Sequence, residues 1–134
     1  MNDEPLRSEP SREDPRRSLG ATGEQLAAQH LVRRGFTIVE QNFRNRWGEL
    51  DIVACDGHTL VFCEVKTRRS SSATSDPLES VRHGKRKQVR RMAARWLAER
   101  RDRPRVDELR FDAIGVTLDP AGGLVRLDHL EGAF

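Results

Sequence analysis

Two apolar runs separated by Asp56-Gly57 constrain this chain more than any other feature. Residues 48–55 read Gly-Glu-Leu-Asp-Ile-Val-Ala-Cys, and residues 61–68 read Val-Phe-Cys-Glu-Val-Lys-Thr-Arg. Runs of this composition flanking an Asp-Gly dipeptide predict two antiparallel strands joined by a tight turn. Alternation places Leu60, Phe62, Glu64 and Lys66 on one face of the second strand, with Val61, Cys63, Val65 and Thr67 on the other. A strand apolar on both faces is a buried strand. Two charges on one face of it have to be paired, hydrated or bound to an ion, because desolvating an unpaired charge costs several kcal/mol.

The register decides what stands beside Glu64. A two-residue turn sets Cys55 opposite His58 and puts Asp51 diagonal to Glu64, whereas a four-residue connection over 56–59 sets Cys55 opposite Leu60 and Asp51 directly across from Glu64. Either even-length connection brings Asp51 to the face of Glu64 and Lys66. A three-residue connection turns it away.

Two carboxylates and an ammonium converging on a sheet suit one chemistry well. Mg2+ and Mn2+ prefer oxygen ligands and are commonly held by one or two carboxylates plus substrate phosphate, so Asp51 and Glu64 are candidate ligands. Lys66 is then placed to orient or help deprotonate the attacking water and to stabilise charge building on the phosphate. The reaction class is phosphodiester hydrolysis. The competing reading is an ordinary surface ion pair between Glu64 and Lys66, worth about 0 to 1 kcal/mol. Asp51 at compatible register and the apolar company of all three residues weigh against it.

A wider set of motifs carries a resemblance. Gly23-Glu24 followed by Ala27-Ala28, then Gly48-Glu49-Leu50-Asp51, Phe62-Cys63-Glu64-Val65-Lys66-Thr67-Arg68, a Lys in the next helix, Arg110-Phe111-Asp112 and a final Ala133-Phe134 stand in the order found in the bacterial YraN-like family. That family is similar in fold to archaeal Holliday-junction resolvases, within the PD-(D/E)xK nuclease superfamily. The similarity covers residues 19–134, and Leu50 and Cys63 stand where relatives often carry other aliphatic residues. It implies that Glu24, Asp51, Glu64 and Lys66 occupy active-site positions, with Glu24 as a third or water-mediated ligand and Lys85 as a contact to the scissile phosphate. It also implies an α/β restriction-endonuclease-like fold, a mixed sheet flanked by helices in the order α-β-β-β-α-β-β.

The sequence pattern agrees with that order. A helix is expected over 19–34, stopped by Gly35, with Glu24 on a packed edge marked by Gly20, Ala27 and Leu31. Strands are expected over 36–43, 109–118 and 123–130, the last two joined by the turn 119–122. Val89, Met92, Ala93, Trp96 and Leu97 form a single helical stripe. Lys85 extends that stripe by one turn, where it would either snorkel or reach the site. Asp112 reads as a structural acceptor, and His30, His58, His83 and His129 lack ligand spacing.

Residues 1–18 are polar and Pro-containing and read as a disordered tail preceding one domain, 19–134. No apolar run is long enough to span a membrane and no signal-peptide core is present, so a cytoplasmic location is the default. Cys55 and Cys63 point to opposite faces in the even registers, which argues against a disulfide and for two small core residues.

Charge points to the partner. The net charge is only +3, but residues 80–110 hold twelve Lys or Arg against four Asp or Glu, a local +8 that leaves the rest at −5. Arg86, Lys87, Arg90 and Arg91 fall largely outside the apolar stripe. With Arg44 and Arg46 in the loop 42–47, and Arg68 on the charged strand, they make a candidate phosphate-binding surface. Trp47 is either a base-stacking platform or core. Three classes stay open: a metal-dependent endonuclease acting on DNA, including branched DNA, as a monomer or homodimer; a non-catalytic nucleic-acid-binding module of the same fold; and a protein-interaction domain.

Overall fold

The structure, a computed structural model, describes residues 15–70 and 86–134. Helix α1 (Pro15–Arg33) leads into strands β1 (Thr37–Asn45), β2 (Gly48–Cys55) and β3 (Thr59–Arg69); helix α2 (Arg86–Glu99) follows, then β4 (Glu108–Leu118) and β5 (Leu124–Leu130). This is the expected α-β-β-β-α-β-β order of the restriction-endonuclease-like class. Helix α1 opens on Pro15, four residues ahead of the expected start, at a position where a missing N–H costs nothing. It closes as expected: Gly35 takes φ +96° and the N–H of Phe36 returns to the Leu31 carbonyl at 3.0 Å, a left-handed cap that glycine adopts without strain.

The five strands form one sheet in chain order, β1-β2-β3-β4-β5. Neighbours are antiparallel except β3 and β4, which run parallel from Thr59↔Glu108 to Arg69↔Leu118. Parallel neighbours need a crossover, and here it contains α2.

The two faces of β3 separate as alternation predicts. Val61, Cys63 and Val65 pack with Ala27 and Leu31 of α1, while Leu60 and Phe62 pack with Val89, Met92, Ala93 and Trp96 of α2. Both cysteines are buried and free, one in each layer, as their opposed faces required. Burial pushes the Cys63 thiol well above its usual range.

Two polar anchors fix the layers. Glu40, at an irregularity in β1, accepts from Trp96 Nε1 at 2.9 Å and from Arg100 Nε and Nη2 at 2.8 and 2.7 Å, tying the end of α2 to the sheet. Asp112, fully buried, accepts from Arg110 Nε at 2.9 Å, from the Gly132 N–H at 3.0 Å and from His129 Nε2 at 2.8 Å. Its expected role as a structural acceptor is thus met. Burial pushes its pKa upward, but these donors outweigh burial and hold it below the usual value.

Candidate metal centre and nucleic-acid face

The connection between β2 and β3 takes the four-residue form: Cys55 pairs with Leu60 and Ile52 with Cys63. Asp56 Oδ1 accepts the N–H groups of His58 and Thr59 at 2.9 and 2.8 Å, and Gly57 adopts φ +99°. The side-chain bonds stabilise this longer connection over a two-residue turn.

Main-chain pairing of β2 with β3 ends at Ile52↔Cys63. One residue further, Asp51 Oδ2 accepts the N–H of Val65 at 2.7 Å. Alternation in β2 breaks at the same point: Ile52 and Ala54 belong to the α1 layer and Val53 and Cys55 to the α2 layer, yet Leu50 also joins the α2 layer. Asp51 sits at the change of face. Across from it on β1, between the pairs Gln41↔Ile52 and Phe43↔Leu50, Asn42 takes φ +57°, the one positive φ outside glycine among the described residues. Strict alternation would have sent Asp51 toward α2; instead its carboxylate lies with that of Glu24 on α1.

Glu24, Glu49 and Asp51 form the resulting cluster, one ligand atom of each within 4.8 Å of the others. Asp51 is buried, and Glu24 and Glu49 are half-buried. Helix α1 can come this close because residue 23 is glycine: a methyl group there would fall on the side chain of Thr67 in β3. The acid cluster therefore depends on Gly23 and Thr67 fitting together, one residue away from Glu24.

Electrostatics shows how crowded the carboxylates are. The Asp51 pKa is pushed up to about 9, first by burial and then by the Glu64 charge, a hydrogen bond shared with Glu49 and the Glu24 charge, against the lowering effect of the Val65 N–H. Burial and Glu49 also raise Glu24, opposed by Arg44 and a hydrogen bond with Asn42. The set offers hard oxygen donors and an excess of negative charge, which fits a divalent cation of the Mg2+ or Mn2+ type.

Of the residues expected at the site, Glu24 and Asp51 come together. Glu64 is half-buried on β3 and close enough for its charge to be the second-largest influence on Asp51. Lys66 is exposed two residues further along the same strand. Lys85 lies outside the described residues. Glu49 is the member that sequence reasoning did not single out; its signal was its period-two spacing from Asp51.

The basic residues divide by what they touch. Arg44 is exposed and pairs with Glu49 at 3.5 Å, so it belongs to the acid cluster's rim. Arg46 lies over the Trp47 ring at 4.4 Å and Arg95 of α2 over the same ring at 4.7 Å. Trp47 is exposed, which excludes the core reading. Arg91 and Arg95 flank it around a shallow hollow, and Gln88 Nε2 donates to the Trp47 carbonyl at 3.2 Å, holding α2 to the β1–β2 turn. Arg86 and Lys87 are exposed on the same helix, and Arg68 is half-buried on β3. Arg90 is engaged differently: it donates to the Phe134 carbonyl at 2.9 Å and stacks on Phe111 at 4.5 Å. No helix among the described residues is long and apolar enough to cross a membrane.

Comparison with known proteins agrees with this architecture. The family described as "Uncharacterised protein family UPF0102" matches residues 23–116, from the glycine beside Glu24 into β4. The chain is 47% identical over 117 residues to a UPF0102 protein of Frankia alni, covering 87% of this chain and 94% of the relative. A UPF0102 protein of Corynebacterium efficiens is 47% identical over 118 residues, covering 87% and 92%. One of Geobacter metallireducens is 43% identical over 119 residues, covering 88% and 93%. With the motif order, the sheet topology and these relatives in agreement, the chain belongs to the UPF0102 family, the YraN-like family of the sequence resemblance.

Proposed function

We propose that this protein is an endonuclease that hydrolyses DNA phosphodiester bonds with Mg2+ or Mn2+. The observation that carries this reading is the convergence of Glu24, Glu49 and Asp51, with the Glu64 charge bearing on Asp51. Mutually repelling carboxylates gathered about a buried Asp51 are unfavourable unless a cation or protons neutralise them. Asp51, Glu24 and Glu64 would hold the metal, with Glu49 as a further ligand or as the group that orients Asp51. Bound there, the ion would activate water and screen charge on the phosphate.

The chain's own residues supply the rest. The Val65 N–H fixes the Asp51 carboxylate. Lys66 presents an ammonium from an exposed position of β3, suited to orienting the attacking water and stabilising charge as it develops. Arg86, Lys87 and Arg91 on α2, with Arg46, would neutralise backbone phosphates, and Lys85 would contact the scissile phosphate.

The Arg46-Trp47-Arg95 stack would also serve a module that binds nucleic acid without turnover, since aromatic and guanidinium planes accept unstacked bases. A cleavage panel of single-stranded, duplex, flapped and four-way DNA in Mg2+ and Mn2+ separates the two. Metal-dependent cutting that co-purifies with the protein supports the nuclease. Binding of that panel with no cutting in either metal transfers support to the binding module.

A further inference from the structure

Between α1 and β1 runs a groove of about 450 Å3, bounded at one end by Glu24 and Asn42 and at the other by Val32 and Arg33. Its size is that of a small-ligand site. Helix α1 lines it with the apolar side chains of Ala21, Ala28 and Val32 interleaved with the amides of Gln25 and Gln29, and β1 adds the amides of Gln41 and Asn42. A second, more polar hollow shares Ala21, Glu24 and Asn42 with it and adds Arg44. The groove thus opens directly onto the carboxylate cluster.

Its chemistry narrows the occupant. Amide side chains offer a donor and an acceptor together, the pattern that pairs with the edge of a nucleobase. The apolar side chains of Ala21, Ala28 and Val32 offer contact for the flat face of such a ring. Arg33 at the outer end and Arg44 at the inner end supply positive charge about a span that is otherwise uncharged except for Glu24, as a nucleotide with a phosphate on each side requires. A base inside a duplex cannot enter, because its edge is paired and its faces are stacked.

The geometry points to this groove as the receptor for one unpaired DNA base adjacent to the scissile phosphate, so that the substrate class is DNA carrying an unpaired nucleotide at the cleavage point. The inference rests on the nuclease reading of the neighbouring cluster and adds what that cluster does not decide, the state of the nucleotide being cut.

The test uses the full chain and two otherwise identical duplexes, one fully paired and one carrying a single unpaired 2-aminopurine, titrated with Ca2+ present so that binding is read without turnover. Wild type should bind the bulged duplex at least tenfold more tightly. The 2-aminopurine emission should rise on binding, since no aromatic ring among the described residues lines the groove to quench it. Ala21→Phe, which narrows the groove from an exposed helix position, and the double variant Gln25→Ala with Gln29→Ala should each bring the ratio to within twofold while leaving paired-duplex affinity unchanged. A wild-type preference that survives in both variants, or no preference at all, overturns the groove assignment while duplex binding and Mn2+ affinity keep the nuclease reading intact. Absence of both DNA binding and Mn2+ affinity in wild type overturns the two together.

Discussion

Asp51 Oδ2 accepts the main-chain N–H of Val65 at 2.7 Å, in the position where a continued ladder would have offered a carbonyl of β2. A side chain takes over the role of the backbone one residue after strand pairing stops. The strands can therefore part without orphaning a buried donor, an omission that costs roughly 1 to 3 kcal/mol. The opening admits the carboxylates that make the cluster.

Replacing Asp51 should separate metal binding from folding. Asp51→Asn keeps an oxygen for the Val65 N–H but removes one charge from a crowded anionic set. Mn2+ affinity measured by calorimetry should fall below detection, as it should for Glu64→Gln. Unchanged affinity in both variants would remove the metal centre.

The same residue sets a pH dependence. The folded-state pKa of Asp51 is raised from the ordinary 3.8 to about 9, so below about pH 4 folded and unfolded chains both hold its proton and nothing is lost. As pH climbs toward 9 the unfolded chain releases the proton while the folded chain retains it, and stability falls. Apo wild type should lose thermal stability from pH 5 to 9. Asp51→Asn should flatten that slope and raise Tm at pH 8 by at least a few degrees, the full displacement being worth up to roughly 5 kcal/mol there. Parallel curves for the two proteins would show that the carboxylates do not repel as described.

Asp112 should behave in the opposite sense. Its charge is neutralised by Arg110 and bonded to His129 and Gly132, so Asp112→Ala leaves those donors facing an empty acceptor. A loss of about 3 to 5 kcal/mol is expected. Denaturant unfolding that shifts by less than 1 kcal/mol (on the scale of a surface change) would contradict the anchor role.

Gly23→Ala tests whether α1 must touch β3 for the cluster to form. The added methyl collides with Thr67, and overpacking of this kind costs roughly 1 to 3 kcal/mol. Mn2+ affinity should drop with stability, and pairing it with Thr67→Ala, which removes the hydroxyl and methyl that the new group meets, should recover part of both. No change in either quantity would mean that Glu24 is placed by other contacts.

For DNA association, neutralising Arg86, Lys87 and Arg91 together should lower the slope of log affinity against log salt by up to about 2.7, from ~0.9 per phosphate contact on duplex DNA. Lys66→Ala, by contrast, should keep metal and DNA affinity within about tenfold while losing most cleavage, because it acts chiefly on the transition state. Equal cutting by Lys66→Ala would discard that role.

Much of this was legible in the sequence, and the parts that were not have physical causes. The two faces of β3 follow from alternation alone. The register did not, because two even connections satisfy the same pattern and only the Asp56 side chain's bonds to His58 and Thr59 decide between them. Strict alternation also misplaced the Asp51 side chain, since asparagine at 42 permits a left-handed backbone without requiring it, and nothing marks β2 as changing face opposite it. That same reversal brought in Glu49. Arg90 read as one more residue of a basic helix face, but its partner is the Phe134 carbonyl 44 residues away, which a local pattern cannot show.

The parallel pairing of β3 with β4 bears on how the protein comes into being. Glu64 sits in the middle of that pair, opposite Ala113, and the two strands are joined only through a long crossover. Local pieces such as the β2–β3 hairpin close quickly, whereas a non-local parallel pair forms slowly because the loop must be ordered before its contacts reward it. During synthesis the hairpin emerges long before β4, so its apolar faces, and the carboxylates between them, wait for the C-terminal third of the chain. Competence to bind a metal should accordingly arrive late in refolding, in step with the slowest kinetic phase and not with the first collapse.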